Sequence, residues 1–527
     1  MRDLMITVLS STTIIFASYV NFLRFNEYPL LRYEVLIVTV GILALTTLIS
    51  LLHRSQEALG RSILEGFLVF FVFDQNNAGI LYSTLAGATV IGIVLYRKKS
   101  TLPFLGTAAF ITLLTNIMGI GSAPLNDVNK LVATDRREAH STDLEKHPAL
   151  LYVILDEHIG IEGLPHENTQ TLAMKKELQD FYISRGFRLY GRAYSEHLHT
   201  VNSIPQILNF GETQSPVPKP MDGLQVSRNS YFDFLHKRGY RINVLQSDFV
   251  DYCSHRSIVD CETYSYANLS ALSQAPISIG QRAKLIAMRY FILSPTARNF
   301  GYLYLHTAMK LSKWGIVLPS FGLQSGGEVS SLNAFLTIDR YTKKLENAEA
   351  GDVFFVHTLS PHYPYIMTPD CRIISVDSWR RRHAGYSRNS RENSYFDQIK
   401  CVNKKLDAAL VALERSPARD NFVVIVHGDH GSRITSLDPT VENKDSFSDA
   451  DMIAGFSTLF AVRGSGVKAG YVNQAAPVSM LLKNFSENEF LTSPVVPQAV
   501  DGLVTLDDEN WQPRSLHSLP RNWLSSK

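Results

Sequence analysis

Charge is scarce in this sequence, and neither sign prevails. Of 527 residues only 19% are charged, with Lys+Arg 51 against Asp+Glu 49 and a net charge of +2. Without a basic surplus, the electrostatic footprint of a general nucleic-acid binder is missing. Cysteine is nearly absent: there are 4, at Cys253, Cys261, Cys371 and Cys401, none in a Cys-x-x-Cys spacing. So few in so long a chain exclude a small disulfide-stapled scaffold. There is no P-loop, no Gly-x-Ser-x-Gly elbow and no His-Glu-x-x-His, which removes three common catalytic signatures. No internal repeat or low-complexity tract stands out. What is abundant is apolar side chain, 45% of the total. That excludes wholesale disorder, and the length suggests two to four domains at roughly 100–200 residues each.

The apolar residues are concentrated at the beginning. Uncharged or nearly uncharged runs occupy 4–21, 35–52, 63–73, 78–96 and 103–121, the third short and carrying Glu65. About 20 apolar residues cross a bilayer as a helix. A cleaved signal peptide would account for the first run only. Residues 1–121 therefore read as a transmembrane bundle of about five helices. Arg97, Lys98 and Lys99 form the densest basic cluster between runs, which puts that loop in the cytoplasm. Five spans then leave everything after 121 on the outer side; four spans would leave it inside. All four cysteines lie in this later part, and an even number without Cys-x-x-Cys suits an oxidising compartment. The expected bridges are Cys253–Cys261, closing a short loop, and Cys371–Cys401; four buried free thiols are the alternative.

Residues 122–148 are polar and read as a linker. From 149 the pattern changes to apolar runs alternating with longer mixed segments. Candidate strands are 149–155, 241–246, 352–358, 421–427 and 457–463. Such runs predict an α/β fold, a mostly parallel sheet with helices on both faces. In these sheets the ligand site lies beyond the carboxyl ends of the strands. The first run ends in Asp156, Glu157 and His158. The third holds His357 and is followed by His362. The fourth holds His427 and leads into Asp429 and His430, between Gly428 and Gly431. One strand-end acid is ordinarily a helix cap. Several together, with an imidazole, make an oxygen/nitrogen site for one divalent metal, Zn or Mn.

Three stretches in this order resemble the sulfatase and alkaline-phosphatase superfamily. They are ALLYVILDEHIG, GRAYSEHLHTVNSIPQILNF and VIVHGDHGSR. With the helical anchor, the likeness is to the membrane branch that holds phosphoethanolamine transferases and lipoteichoic-acid-type phosphoglycerol transferases. It spans roughly 149–465, within a catalytic domain set at 149–505. The resemblance implies Asp156, Asp429 and His430 as metal ligands and Thr200 as nucleophile and fourth ligand, in a Thr-x-x-Ser-x-Pro arrangement. Sulfatases require a Cys or Ser there for conversion to an aldehyde. Thr200 cannot supply one, but a metal-activated threonine hydroxyl can attack phosphorus directly. Its structural alternative is a helix cap.

The resemblance also implies a role for His362 in holding phosphate or protonating the leaving group. Glu157 and Arg433 are the expected substrate-binding pair, Glu157 with a metal-ligand role as an alternative because sulfatases use paired acids there, and Arg433 in place of a histidine that phosphoethanolamine transferases carry beyond Asp-His-Gly. A capping role for Glu157 and an ordinary ion pair for Arg433 compete with this. His357 and His427 read as core or supporting residues. His197 and His199 read as solvated loop histidines, with a second metal as the alternative. Residues 282–318 are basic, aromatic and amphipathic, predicting either interfacial helices or an ordinary helix over the sheet. The last residues, 506–527, read as a loosely docked tail.

The expected activity is transfer of a phospho-substituent, phosphoethanolamine or phosphoglycerol, from a lipid donor to an envelope glycan or lipid. The setting would be a bacterial inner membrane with the catalytic domain outside the cytoplasm. Hydrolysis of sulfate or phosphate esters by the same site is one rival. A catalytically silent scaffold in envelope polysaccharide assembly is another.

Overall fold

The computed structural model describes residues 2–55, 58–75, 79–97, 99–117, 147–165, 169–212, 217–218, 224–226, 228–265, 268–291, 307, 311, 329–379, 388–498, 500–508 and 511–525. The chain divides into two compact units: 1–127 with 267–329, and 128–266 with 330–527. Nearly all of the expected linker at 122–148 lies outside the described residues.

The first unit carries α1 (Arg2–Phe25), α2 (Tyr33–Ser55), α3 (Ala58–Gln75), α4 (Gly79–Arg97) and α5 (Leu102–Ile117). These coincide with the five apolar runs. Two stretches, Leu4–Phe25 and Tyr33–His53, are long and apolar enough to cross a membrane. The short third run is extended at both ends: α3 has 18 residues, about 27 Å at ~1.5 Å per residue. Helices α3 and α4 approach closely at glycine. A Cβ on Gly87 would come within 2.8 Å of the Gly66 carbonyl oxygen, so small residues permit the contact.

The amphipathic segment resolves into a helix at Ile279–Phe291, and it packs in this unit rather than over the sheet. Its Tyr290 is fully buried, donates to the Ile15 carbonyl at 2.8 Å and contacts the rings of Tyr19, Phe22 and Phe71. Its Arg282 lies 3.3 Å from Glu34, which accepts the Tyr28 hydroxyl at 2.6 Å. The rest of 282–318, apart from 307 and 311, lies outside the described residues.

The second unit is built on β1 (Ala149–Leu155), β2 (Arg188–Tyr194), β3 (Val217–Pro218), β4 (Leu224–Gln225), β5 (Arg241–Ser247), β6 (Val250–Asp251), β7 (Ile258–Tyr264), β8 (Asp352–Thr358), β9 (Phe422–Gly428), β10 (Phe460–Arg463), β11 (Gly470–Pro477), β12 (Leu503–Asp507) and β13 (Pro513–Ser518). Eight of them form one sheet in the order β11-β2-β10-β9-β1-β8-β5-β7. Only β10 runs against its neighbours, β9 and β2. Every residue of β1 is buried, as a central strand covered on both faces requires. A tyrosine- and phenylalanine-rich core that includes Tyr152, Tyr231, Phe232 and Phe355 fills one face.

All five expected strands are present. β2 escaped the apolar-run criterion because Arg188, Gly191 and Arg192 interrupt it. β10 is shorter than expected, since Ser457 and Thr458 form isolated bridges to Tyr194 and Ile159 instead. Both expected disulfides are formed, Cys253–Cys261 and Cys371–Cys401.

The last residues are not a loose tail. β12 and β13 pair as a hairpin, followed by a short helix at Arg521–Leu524. Val504, Leu506, Leu519 and Trp523 bury against Tyr194, Leu198, Met452 and Phe456. Alternation in a strand of mixed polarity hides this apolar face from a composition-based reading.

Candidate active site and metal centre

Sheet register brings the acids together. β1 and β9 are parallel neighbours, and Leu155 is paired with Gly428. The next residue on each strand is therefore an aspartate, and Asp156 and Asp429 leave the sheet side by side. His430 follows. One ligand atom from each of Asp156, Asp429 and His430 lies within 4.8 Å of the others, all three residues buried. The flanking glycines make this possible. A Cβ on Gly428 would meet Thr458 Oγ1 at 2.3 Å and the His158 carbonyl at 2.7 Å; one on Gly431 would meet the Ala454 carbonyl at 2.1 Å.

The individual groups are held in definite states. Asp429 Oδ1 accepts the backbone N–H of Glu157 at 3.0 Å and of His430 at 2.8 Å. That leaves Oδ2 facing the cluster. His430 Nδ1 donates to the Gly431 carbonyl at 2.8 Å, so Nε2 presents its lone pair inward, 3.3 Å from Asp429 Oδ2 and 3.9 Å from Asp156 Oδ1. Asp156 Oδ1 is buried without a hydrogen-bond partner. Burial, and then the Asp429 and Glu157 carboxylates, push the Asp156 acid well above the ordinary carboxylate range, against the pull of Arg433. Two carboxylates and an imidazole lone pair converging out of water is an arrangement a divalent cation satisfies, through donors that suit Zn or Mn.

Thr200 opens the helix Thr200–Leu208, and the residue in the capping position is His199. The Thr200 hydroxyl does not cap a backbone N–H. It donates to Asp429 Oδ2 at 2.7 Å. The threonine oxygen thus sits against the aspartate at the heart of the cluster.

Arg433 is buried, not a surface residue. Its Nη2 donates to the Leu198 carbonyl at 2.8 Å and lies 3.4 Å from His430 Nε2, and its Nε is 3.3 Å from Glu157 Oε1. Glu157 adopts a left-handed backbone, φ 63°, and its carboxylate also meets His362 Nε2 at 3.4 Å. It stands outside the three-residue cluster and braces Arg433 and His362. Glu157 thus stands between Arg433, its expected partner in substrate binding, and His362. His362 is about a quarter exposed, the most accessible of these groups.

The supporting histidines are all buried. His357 Nδ1 meets the Tyr252 hydroxyl at 2.9 Å and His427 Nε2 the Tyr152 hydroxyl at 2.7 Å; burial pushes both imidazoles down to about 4. His197 and His199 are not solvated either. His199 Nδ1 donates to Asp507 Oδ2 at 2.7 Å. Neither joins a metal cluster among the described residues.

Two neighbours of the site were not anticipated. The Tyr395 hydroxyl donates to the Glu157 carbonyl at 2.6 Å and accepts the Ile159 N–H at 2.9 Å, pinning the turn after β1. Nothing near Tyr395 in the chain announces this. Asp507 did carry a signal: it ends an alternating run, 503–507, in the same strand-into-acid manner as Asp156.

A family model described as Sulfatase matches residues 148–452. Among solved structures, the C-terminal periplasmic domain of EptC from Escherichia coli, in complex with Zn, is 11% identical, covering 72% of this chain and 94% of that one at a TM-score of 0.40. Phosphonate monoester hydrolase of Agrobacterium radiobacter is 13% identical, covering 69% and 81% at 0.40. A Bacteroides thetaiotaomicron protein of glycosaminoglycan metabolism is 12% identical, covering 71% and 83% at 0.39. No curated protein sequence matches the chain.

Proposed function

The chain belongs to the sulfatase family, and on that premise we propose that it is a membrane-anchored, metal-dependent transferase with Thr200 as nucleophile. It moves a phospho-substituent, phosphoethanolamine or phosphoglycerol, from a lipid donor to an envelope glycan or lipid. The single observation that carries this reading is the Thr200 hydroxyl, 2.7 Å from Asp429 Oδ2, beside Asp156 and His430. A divalent cation, Zn or Mn, held by Asp156, Asp429, His430 and Thr200, would lower the hydroxyl pKa and counter charge on the transferring group.

The protein groups divide the remaining work. Asp429 holds the Thr200 hydroxyl and is itself held by two backbone N–H groups, so the oxygen is positioned before substrate arrives. In the first half-reaction the Thr200 Oγ–P bond forms and the bond from phosphorus to the lipid oxygen breaks. His362, oriented by Glu157, supplies a proton to that leaving oxygen. In the second, an acceptor hydroxyl attacks phosphorus and gives its proton to His362, while Thr200 leaves and takes back from Asp429 the proton it passed there in the first. Arg433 offers a buried positive charge beside the cluster for the phosphate oxygens. The five-helix unit would anchor this chemistry on the outer face of a bacterial inner membrane, close to a lipid donor.

The test is the intact mass of the full chain after exposure to bacterial phospholipid vesicles. A mass increase confined to the Thr200 peptide and abolished in Thr200→Ala supports the reading and identifies the transferred group. Full turnover by Thr200→Ala would sink it. Product measured with and without acceptor glycan separates transfer from hydrolysis. A folded protein with neither metal nor turnover would favour the scaffold reading.

A further inference from the structure

The family match ends at 452, yet a group from beyond it reaches the nucleophile's helix. The loop Ser195–His199 joins β2 to that helix, and β12 lies along it. The Thr505 N–H donates to the Glu196 carbonyl at 2.7 Å, and His197 bridges Thr505 in parallel. Two residues further, Asp507 Oδ2 accepts His199 Nδ1–H at 2.7 Å. Past the turn, the Trp511 carbonyl accepts from Asn202 Nδ2 at 3.0 Å. The hairpin therefore holds the residues on both sides of Thr200.

His199 is no bystander in that arrangement. Its carbonyl accepts the N–H groups of Asn202 and Ser203, both at 2.9 Å, and so closes the first turn of the helix. Fixing its side chain fixes the backbone from which Thr200 projects. Asp507 is completely buried, and its carboxyl group takes a side-chain hydrogen bond from Asn202 as well as from His199. Burying a carboxylate is costly by itself. The hairpin is anchored separately, through Val504, Leu506, Leu519 and Trp523.

We propose that Asp507 is a positioning residue for Thr200, acting through His199, and that the C-terminal hairpin thereby completes the catalytic site. The inference rests on Thr200 being the nucleophile. A displacement of about 1 Å at a reacting oxygen is enough to slow chemistry on the order of 100-fold.

The experiment follows modification of Thr200 in the full-length, metal-loaded chain mixed with phospholipid vesicles, by intact mass against time and donor concentration. Asp507→Ala is expected to lower the limiting rate at least ~30-fold, with half-saturation by donor and bound metal within about twofold of wild type. Asp507→Asn, whose side-chain carbonyl accepts the same Nδ1–H, is expected to recover most of that rate. In a His199→Ala background, adding Asp507→Ala should slow the reaction less than about twofold further, because coupled residues do not act additively. If Asp507→Ala does not fold, His199→Ala must show the same slowing with donor and metal binding intact. Wild-type rates in Asp507→Ala, a loss carried by donor half-saturation, no rescue by Asn, or full additivity with His199→Ala would each overturn the proposal. Absence of any Thr200 adduct in the wild type would instead overturn the nucleophile itself.

Discussion

Each unit of this protein buries a carboxylate, and the two are treated in opposite ways. Glu65 of α3 is fully buried in the helical unit, and both its oxygens are occupied. One faces His53 Nε2 at 2.8 Å; the other accepts the Thr101 N–H at 2.8 Å and its hydroxyl at 2.6 Å. Asp156 is as buried, but one oxygen has no hydrogen-bond partner and further carboxylates lie nearby. The first is a finished cross-link between helices. The second is an acid that burial and its neighbours hold back from ionising until a counter-charge is supplied, the mark of a site rather than of a scaffold.

The contrast can be tested from either side. The largest effect belongs to Asp429→Asn. Asn can still accept the Glu157 and His430 N–H groups, so the turn survives while the cluster loses a charge. Turnover should fall by at least ~1,000-fold, about 4 kcal/mol of barrier, with little change in melting. Activity within tenfold of wild type would remove Asp429 from the site. Glu65→Ala should do the reverse, leaving a buried imidazole and N–H unpaired and costing about 3 kcal/mol of stability in detergent. An unchanged unfolding midpoint would show that the cross-link is idle.

His357 stands between the two cases, with one nitrogen on Tyr252 and the other without a partner. Burial lowers its pKa from 6.5 to about 4. The unfolded chain therefore takes up a proton in that window that the native chain refuses. The contribution to stability is fully present above pH 6.5 and is lost as pH falls toward 4, up to about 3 kcal/mol. Denaturant titrations at pH 7 and pH 5 should differ accordingly, and His357→Gln should flatten part of that slope. An identical slope in the variant would count against the buried neutral imidazole. The smallest effect is Asp156→Asn in metal-stripped protein. It removes an acid whose raised pKa works against the fold at neutral pH and should raise stability by about 1 kcal/mol, on the order of a few degrees in melting. A lower melting temperature would mean that Asp156 is already satisfied without metal.

Much of this was legible in the chain. The runs at 149–155, 352–358 and 421–427 are uninterrupted because both faces of their strands are covered, and burial of that kind writes itself into composition. The acids at 156 and 429 stand out because a buried strand tip is a costly place for charge. β2 and the hairpin were not legible. Arg188, Gly191 and Arg192 interrupt β2 although most of it is buried, and β13 is exposed along its whole length. What Glu157 faces was not legible either, because its tertiary neighbours decide it. Adjacent to Asp156 in the chain, it is turned by a left-handed backbone toward Arg433 and His362.

Local chemistry was therefore sufficient for what depends on a segment's own solvent. Five apolar helices, the central strands, two acids at strand tips and a threonine in a recognisable pattern can all be read from residues in order. The sum of long-range contacts lies outside any such reading. That Leu155 pairs with Gly428, that Thr200 reaches Asp429 across 229 positions, and that Asp507 reaches His199 across 308 follow from sheet register and from the docking of a hairpin. Those are decided by the packing of whole elements, whose energy is shared among many side chains and recorded at none of them singly.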